Sequence, residues 1–351
     1  MAAITGVERQ SERIMPKGYP AGGLRFDWIF TAATAFLIGG AYLDGWAHTN
    51  IAEELETFFT PWHAVMYSGL LLTAIIMIGT HIRNSLRGYR YGRTVPRGYH
   101  LTLVGVGVFG LAGAGDMVWH TVFGIEFDVE AAFSLPHLAI VVSMVLIAFG
   151  AVRAAWHRAD APTWGNLLPM ILSATLALSA LTVISQMFSP FNQTVAASSY
   201  APPALENSTA IYGWGILSFV VQSLILMSIV LALVKRWGET LPFGTFALIL
   251  TLNAMMMSTQ TAEVRFIPVW FIGGLTADFL LHRLRPTQNL TWMRLFAVAV
   301  PAVLFTLYFI VLILTEGTWW RIHSISGAIT LSAAVGLTIS YLIWMPQTSN
   351  E

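Results

Sequence analysis

Leu295-Phe-Ala-Val-Ala-Val-Pro-Ala-Val-Leu-Phe-Thr-Leu-Tyr-Phe-Ile-Val-Leu-Ile-Leu-Thr315 is a run of twenty-one residues without a single charge. Coiled as an α-helix at about 1.5 Å per residue, it reaches about 30 Å, the hydrocarbon thickness of a bilayer. Comparable runs recur along the chain. They predict ten membrane spans, at roughly 27–46, 62–82, 101–120, 136–156, 166–187, 210–234, 242–258, 264–281, 295–315 and 322–345. The expected fold class is therefore all-α, a polytopic membrane helical bundle.

Composition supports this reading. Of 351 residues 56% are hydrophobic and only 10% charged, where soluble chains carry about 25% charged residues. The formal net charge is zero, which leaves no electrostatic case for a nucleic-acid partner. With no cysteine in the chain, disulfides, thiolate metal sites, iron–sulfur clusters and a cysteine nucleophile are excluded, so any metal must be held mainly by nitrogen and oxygen. The segment through Gly23 is polar and carries Arg9, Arg13 and Lys17. It lacks the apolar core of a cleaved signal peptide, so the first span is expected to serve as the insertion signal.

The basic residues predict orientation. Arg83, Arg87, Arg90, Arg93 and Arg97 follow the second span. Arg153 and Arg158, Lys235 and Arg236, then Arg283, Arg285 and Arg294 fall on every second connection thereafter. The positive-inside rule makes these connections, and both termini, cytoplasmic. The alternate connections begin acidic, with Glu53, Glu54 and Glu56, then Glu126, Asp128 and Glu130. The expected organisation is a cytoplasmic segment 1–26, a four-helix membrane bundle 27–158 and a C-terminal bundle of about six helices 159–351, in a bacterial inner membrane.

Both acidic connections lie within a repeated pattern. Asp44-Gly-Trp-Ala-His48 is followed by Glu56-Thr-Phe-Phe-Thr-Pro-Trp-His63, and Asp116-Met-Val-Trp-His120 by Glu130-Ala-Ala-Phe-Ser-Leu-Pro-His137. Residues four apart share a helix face, so each Asp and first His can grip one ion. The second His, opening the antiparallel neighbour, completes two imidazoles and one carboxylate. Three protein ligands with open positions suit a catalytic metal. The spacing thus predicts two metal sites, Asp44/His48/His63 and Asp116/His120/His137, on the outer side of the membrane. Glu56 and Glu130 are candidates for a further ligand, an imidazole-orienting acceptor or a proton carrier. The topology resembles parallel repeats about an axis along the membrane normal.

The run from Asp44 through His63-Ala-Val-Met-Tyr67-Ser-Gly69 resembles the C subunit of copper membrane monooxygenases, the family of particulate methane and ammonia monooxygenases. That family has Asp-x3-His, an acid, Phe-Thr-Pro-x-His, then an aromatic and a Gly. Its second copy begins with Asn-x3-His, where this chain has Asp116, and ends Pro-x-His, where Pro136 directly abuts His137. The resemblance covers about residues 40–140. It implies two copper sites on the two triads, dioxygen and a small apolar or neutral substrate as reactants, proton handling by Glu56 or Glu130, and further monooxygenase-type subunits or a homo-oligomer. The chain lacks the cupredoxin-like domain that the family supplies from another subunit.

Two other readings fit the same residues. One is a copper or zinc transport or storage protein, for which Met187 and Met255 to Met257 could extend a thioether path. The other is a di-iron or di-zinc carboxylate enzyme. Asp278-x3-His282 repeats the ligand spacing on the basic side, beside Arg283 and Arg285, where an Asp–Arg pair or a helix-end role is expected. His81, His100, His157 and His323 read as interfacial. Glu263 with Arg265 reads as a structural pair, and residues 188–209 as a connection able to fold over the bundle mouth.

Overall fold

The computed structural model describes residues 18–51, 59–124, 133–202 and 208–344. Its regular elements are helices: α1 (Leu24–Asn50), α2 (Pro61–Leu86), α3 (His100–Phe123), α4 (Leu135–Ala148) continued by α5 (Gly150–Trp156), α6 (Trp164–Ile184), α7 (Ser208–Trp237), α8 (Thr245–Thr261), α9 (Ile267–Leu284), α10 (Leu290–Thr315) and α11 (Ile322–Ile343), with short 3-10 turns between them. Among the described residues nine helical segments are long and apolar enough to cross a membrane, with α4 and α5 counted as one. The tenth expected span is α8, whose 17 residues reach only about 25 Å. Its start moves from the expected 242 to Thr245 because Pro242 and Phe243 lie in the turn that Gly244, at φ 95°, closes.

Local chemistry sets the helix ends. Thr60 caps α2 by accepting the His63 N–H at 3.1 Å, ahead of Pro61 at the first helical position. Asn289 caps α10 through the Thr291 N–H at 2.8 Å. The α4–α5 break has an identifiable cause. Ser173 of α6 inserts its hydroxyl into the ladder, donating to the Ala148 carbonyl and accepting the Val152 N–H at 3.3 Å.

Small residues let the helices close in, as expected where lipid supplies no hydrophobic drive between them. A Cβ on Gly40 would lie 2.7 Å from Met66 Cα, and one on Gly69 2.4 Å from Leu37 Cα, so α1 and α2 touch backbone to backbone. That contact holds the first-span carboxylate, one turn beyond Gly40, beside the start of α2. A second hairpin pairs α3 with α4, and α2 packs on α3. Helices α6 and α8 buttress α1. One apolar core fills the α1–α4 region and includes Leu176, Ala177 and Ala180 of α6, while another fills the space among α6 to α11.

The far end of this bundle is held by charge. Asp27 of α1 accepts the Tyr99 hydroxyl at 2.7 Å and pairs with Arg158. Arg153 donates to the carbonyls of Leu146 at 2.5 Å and Gly98 at 3.0 Å, and to Thr102 Oγ1 at 2.8 Å.

In the second core, Pro301 cannot donate to the carbonyl of Ala297 one turn earlier. That carbonyl faces Gly336 of α11, where a Cβ would come within 2.0 Å of it. Gly336→Ala should therefore destabilise the folded protein by at least about 1–3 kcal/mol through forced separation of α10 and α11. Gly327→Ala, with nothing within 4 Å of the added Cβ, should be neutral or stabilise by up to about 1 kcal/mol. Thermal unfolding of the two variants in one detergent checks the contrast.

Candidate metal centre

The last turn of α1 and the first of α2 bring Asp44, His48 and His63 together. His63 Nε2 stands 3.4 Å and His48 Nε2 3.9 Å from the same carboxylate oxygen, Asp44 Oδ2. The end of α3 and the start of α4 do the same for Asp116, His120 and His137, with both Nε2 atoms 3.4 Å from Asp116 Oδ1. The imidazole centroids are 5.7 Å apart in each set. Each set offers three ligand atoms within 4.8 Å of one another, and the six residues fall into two groups of three.

The rings are turned deliberately. Thr60 Oγ1 meets His63 Nδ1 at 3.1 Å, and Ser134 Oγ meets His137 Nδ1 at 2.8 Å. Each hydroxyl belongs to the residue preceding its helix. His120 Nδ1 lies 3.3 Å from the Gly124 carbonyl. Nδ1 is thus engaged on three rings while Nε2 of all four faces a carboxylate. An outer hydrogen bond of this kind fixes tautomer and orientation in metal-ligating histidines.

The four Nε2 to oxygen distances decide what the sets can do. At 3.4–3.9 Å they are longer than the usual N–H···O hydrogen bond of about 2.9–3.0 Å. Ligand atoms held about 2.1 Å from one tetrahedral ion lie about 3.4 Å apart. Three of the four nitrogen-to-oxygen distances match that spacing and the His48 distance exceeds it, and the donor chemistry of imidazole nitrogen and carboxylate oxygen fits copper, zinc or iron. Asp44 Oδ1 is buried and has no hydrogen-bond partner among the described residues, which leaves it available to a cation.

Tyr67, one turn after His63, stands between the sets. Its ring lies 6.2 Å from His63 and 6.0 Å from Phe109 of α3, and a Cβ on Gly113 would come within 2.8 Å of its hydroxyl. Both Asp44 and Asp116 are close enough for their charges to act on it. From the C-terminal half, Gln260 of α8 donates to the Tyr42 carbonyl at 2.8 Å and sets its Oε1 against Gly45. Phe188 packs on Phe133 with centroids 6.2 Å apart, so the connection after α6 reaches the rim of the second set.

Glu56 and Glu130 lie outside the described residues. Asp278 takes the helix-end role: its carboxylate accepts the Phe246 and Ala247 N–H groups at 3.1 and 2.9 Å, at the start of α8. Arg265 bridges Glu263 at 2.8 Å and Glu316 at 2.7 Å. Burial, opposed by Arg265 and reinforced by Glu316, raises the Glu263 carboxyl above its ordinary range. His81 is engaged by Thr94 at 2.7 Å, and His323 is exposed. The three consecutive methionines face three ways. Met255 is exposed, Met256 packs on the N-terminal core, and Met257 is buried beside Asn253.

The orienting hydroxyls and Tyr67 go beyond the ligand pattern. Thr60-Pro-Trp-His63 and Ser134-Leu-Pro-His137 share a hydroxyl residue three before the histidine, a spacing that signals a helix N-cap. Tyr67 is the aromatic of the run that resembles the monooxygenase C subunit, but its place between the two sets depends on contacts with α3 that the local sequence does not carry. Comparison with protein-family models, with curated proteins and with solved structures finds no match to this chain.

Thr60→Val and Ser134→Ala should each weaken binding of a divalent cation to the corresponding set about ten- to hundredfold. Ser68→Ala, whose hydroxyl bonds the Ala64 carbonyl on the exposed side, should leave it unchanged. Calorimetric titration of the purified protein with zinc or copper reads the difference.

Proposed function

We propose that this protein is a membrane metalloenzyme carrying two mononuclear copper sites, Asp44/His48/His63 and Asp116/His120/His137, and that it oxidises a small apolar substrate as copper membrane monooxygenases do. The observation that carries the proposal is the paired set of Nε2 to carboxylate distances, 3.4–3.9 Å. They suit ligands sharing an ion better than they suit ion pairs. Copper, when bound, would supply one-electron chemistry with dioxygen.

The chain's own residues have separable tasks. The imidazoles present Nε2, and Thr60 and Ser134 hold His63 and His137 in that pose. Asp44 and Asp116 would bring one negative charge to each site, which offsets half the charge of a divalent ion and the whole charge of a monovalent one where water is scarce. No ligand is shared between the two groups, which favours two separate sites over a carboxylate-bridged iron or zinc pair. Glu56 and Glu130 remain the proposed proton carriers. Around the sets, Phe59, Val122, Phe123, Phe133 and Leu135 are exposed apolar side chains. An apolar substrate dissolved in lipid would meet that surface first. The absence of a methionine column through α8 disfavours a transport path.

Arginines gather on the connections at the end opposite the triads, which supports an outer, periplasmic position for the metal sites in a bacterial inner membrane. The exposed apolar helix faces fit lipid, and they leave room for companion subunits or a second copy.

Protein purified without chelator should carry about two copper ions per chain by elemental mass spectrometry. His63→Ala and His137→Ala should each lose about one, and both should lose oxygen-dependent turnover. Iron or zinc in the same pattern would keep the sites and discard the copper chemistry. Equal metal content in all three proteins would overturn the assignment.

A further inference from the structure

At the end of the bundle opposite the triads, a pocket of about 190 Å³ opens between the end of α5, the start of α6 and the end of α7. It is lined by Arg158, Asp160, Pro162, Leu167, Arg236 and Trp237, among others. At about 30 Å³ per water it has room for a small polar group and its hydration.

The two arginines are held with their forks preset. Arg158 uses Nη1 on Asp27 and Nε on Asp160, the latter at 2.6 Å. Arg236 uses Nε on the Trp156 carbonyl at 3.0 Å and Nη2 on the Arg158 carbonyl at 3.2 Å, and it lies 5.3 Å over the Trp237 ring. That leaves Arg158 Nη2 and Arg236 Nη1 without a partner among the described residues. The start of α6 adjoins the pocket, and the Thr163 side chain makes no capping bond there. The positive end of that helix dipole therefore lies beside the pocket that the two arginines line. Burial, and then the charges of Arg97 and Arg236, lowers the neighbouring His157 imidazole below its ordinary range.

We propose that this pocket binds the phosphate of a membrane-lipid headgroup, clamped by Arg158 Nη2, Arg236 Nη1 and the first turn of α6. Its position selects the lipid source. Exposed Trp156 and Trp164 flank the pocket, and such aromatics sit at headgroup depth. Basic pockets between membrane helices recognise headgroups by this chemistry. Asp160, paired to Arg158 at the mouth, restrains the affinity. The inference is independent of any metal at the opposite end.

The test is native mass spectrometry of the full-length protein in detergent, titrated with phosphatidylglycerol, with inorganic phosphate as a parallel probe. One phosphatidylglycerol should be retained per chain. Arg236→Gln should weaken retention about fivefold and Asp160→Asn should strengthen it by a similar factor, while Arg236→Lys should fall between wild type and Arg236→Gln. A melting curve for each variant shows that it is folded. Equal retention by wild type and folded Arg236→Gln would overturn the site. Displacement of the lipid by millimolar inorganic phosphate would overturn the lipid source and assign the pocket to free phosphate.

Discussion

A charge inside a bilayer must be neutralised by its neighbours, because no water is at hand to do it. The buried carboxylates meet this demand in different ways. Asp27 is met by Arg158 and the Tyr99 hydroxyl. Asp278 accepts two N–H groups at the start of α8. The reverse case, the cation Arg153, is surrounded by carbonyls and a hydroxyl. Asp44 and Asp116 are set apart by their neighbours, because each presents one carboxylate oxygen to two imidazole Nε2 atoms at 3.4–3.9 Å. A cation placed among the three donors of either set would meet one carboxylate and two imidazoles, the arrangement on which the proposed metal sites rest.

Much of this was legible in the sequence, for reasons of range. The spans follow from uninterrupted apolar length. The triads follow from two local rules, the shared face at four residues and the placement of a histidine in the first turn after a proline. Both rules act within a few residues, so His48 against Asp44 and His63 near the start of α2 could be placed without knowing how helices pack. What escaped depends on contacts between distant segments. The Ser173 hydroxyl breaks α4 from α5 across 21 to 25 positions of chain. Gly336 answers a carbonyl that Pro301 has freed on another helix. The end of α6 at Ile184, short of the expected 187, reflects a 3-10 turn at Gln186–Phe188 that carries Phe188 to the rim of the second set.

The two halves of the molecule are unequal partners in the site. All six candidate ligands come from α1 to α4, yet the first set rests on the later helices. Tyr42, two residues before Asp44, donates to the Ser179 carbonyl at 3.1 Å and meets Thr182 at 3.1 Å. Ser179 and Thr182 in turn reach Asn253 of α8 at 3.1 and 2.9 Å. Gln260 closes the connection by binding the Tyr42 carbonyl. These polar groups are buried at membrane depth, where an unmade hydrogen bond costs several kcal/mol. The network consequently fixes the height of Asp44 along the bundle, which hydrophobic packing alone does not determine.

That coupling gives the C-terminal helices a purpose that their lack of ligands conceals. A ligand set misplaced by about 1 Å no longer forms a coordination sphere, and helices in lipid slide against one another more readily than helices locked by water-excluding cores. The α1–α2 hairpin is gripped at Gly40 and Gly69, which sets its spacing, and by Tyr42, which sets its register against α6 and α8. The α3–α4 hairpin is gripped at its far end by Arg153, whose bonds to Gly98, Thr102 and Leu146 tie the start of α3 to the end of α4. Two hairpins with the same donor geometry are thus positioned by unrelated interactions. The similar triad distances therefore do not follow from a shared buttress; they follow from the local pattern that both hairpins carry, an Asp four residues before a His and a second His three residues after a hydroxyl residue, and it is on this repeated pattern that the proposed ion sites rest.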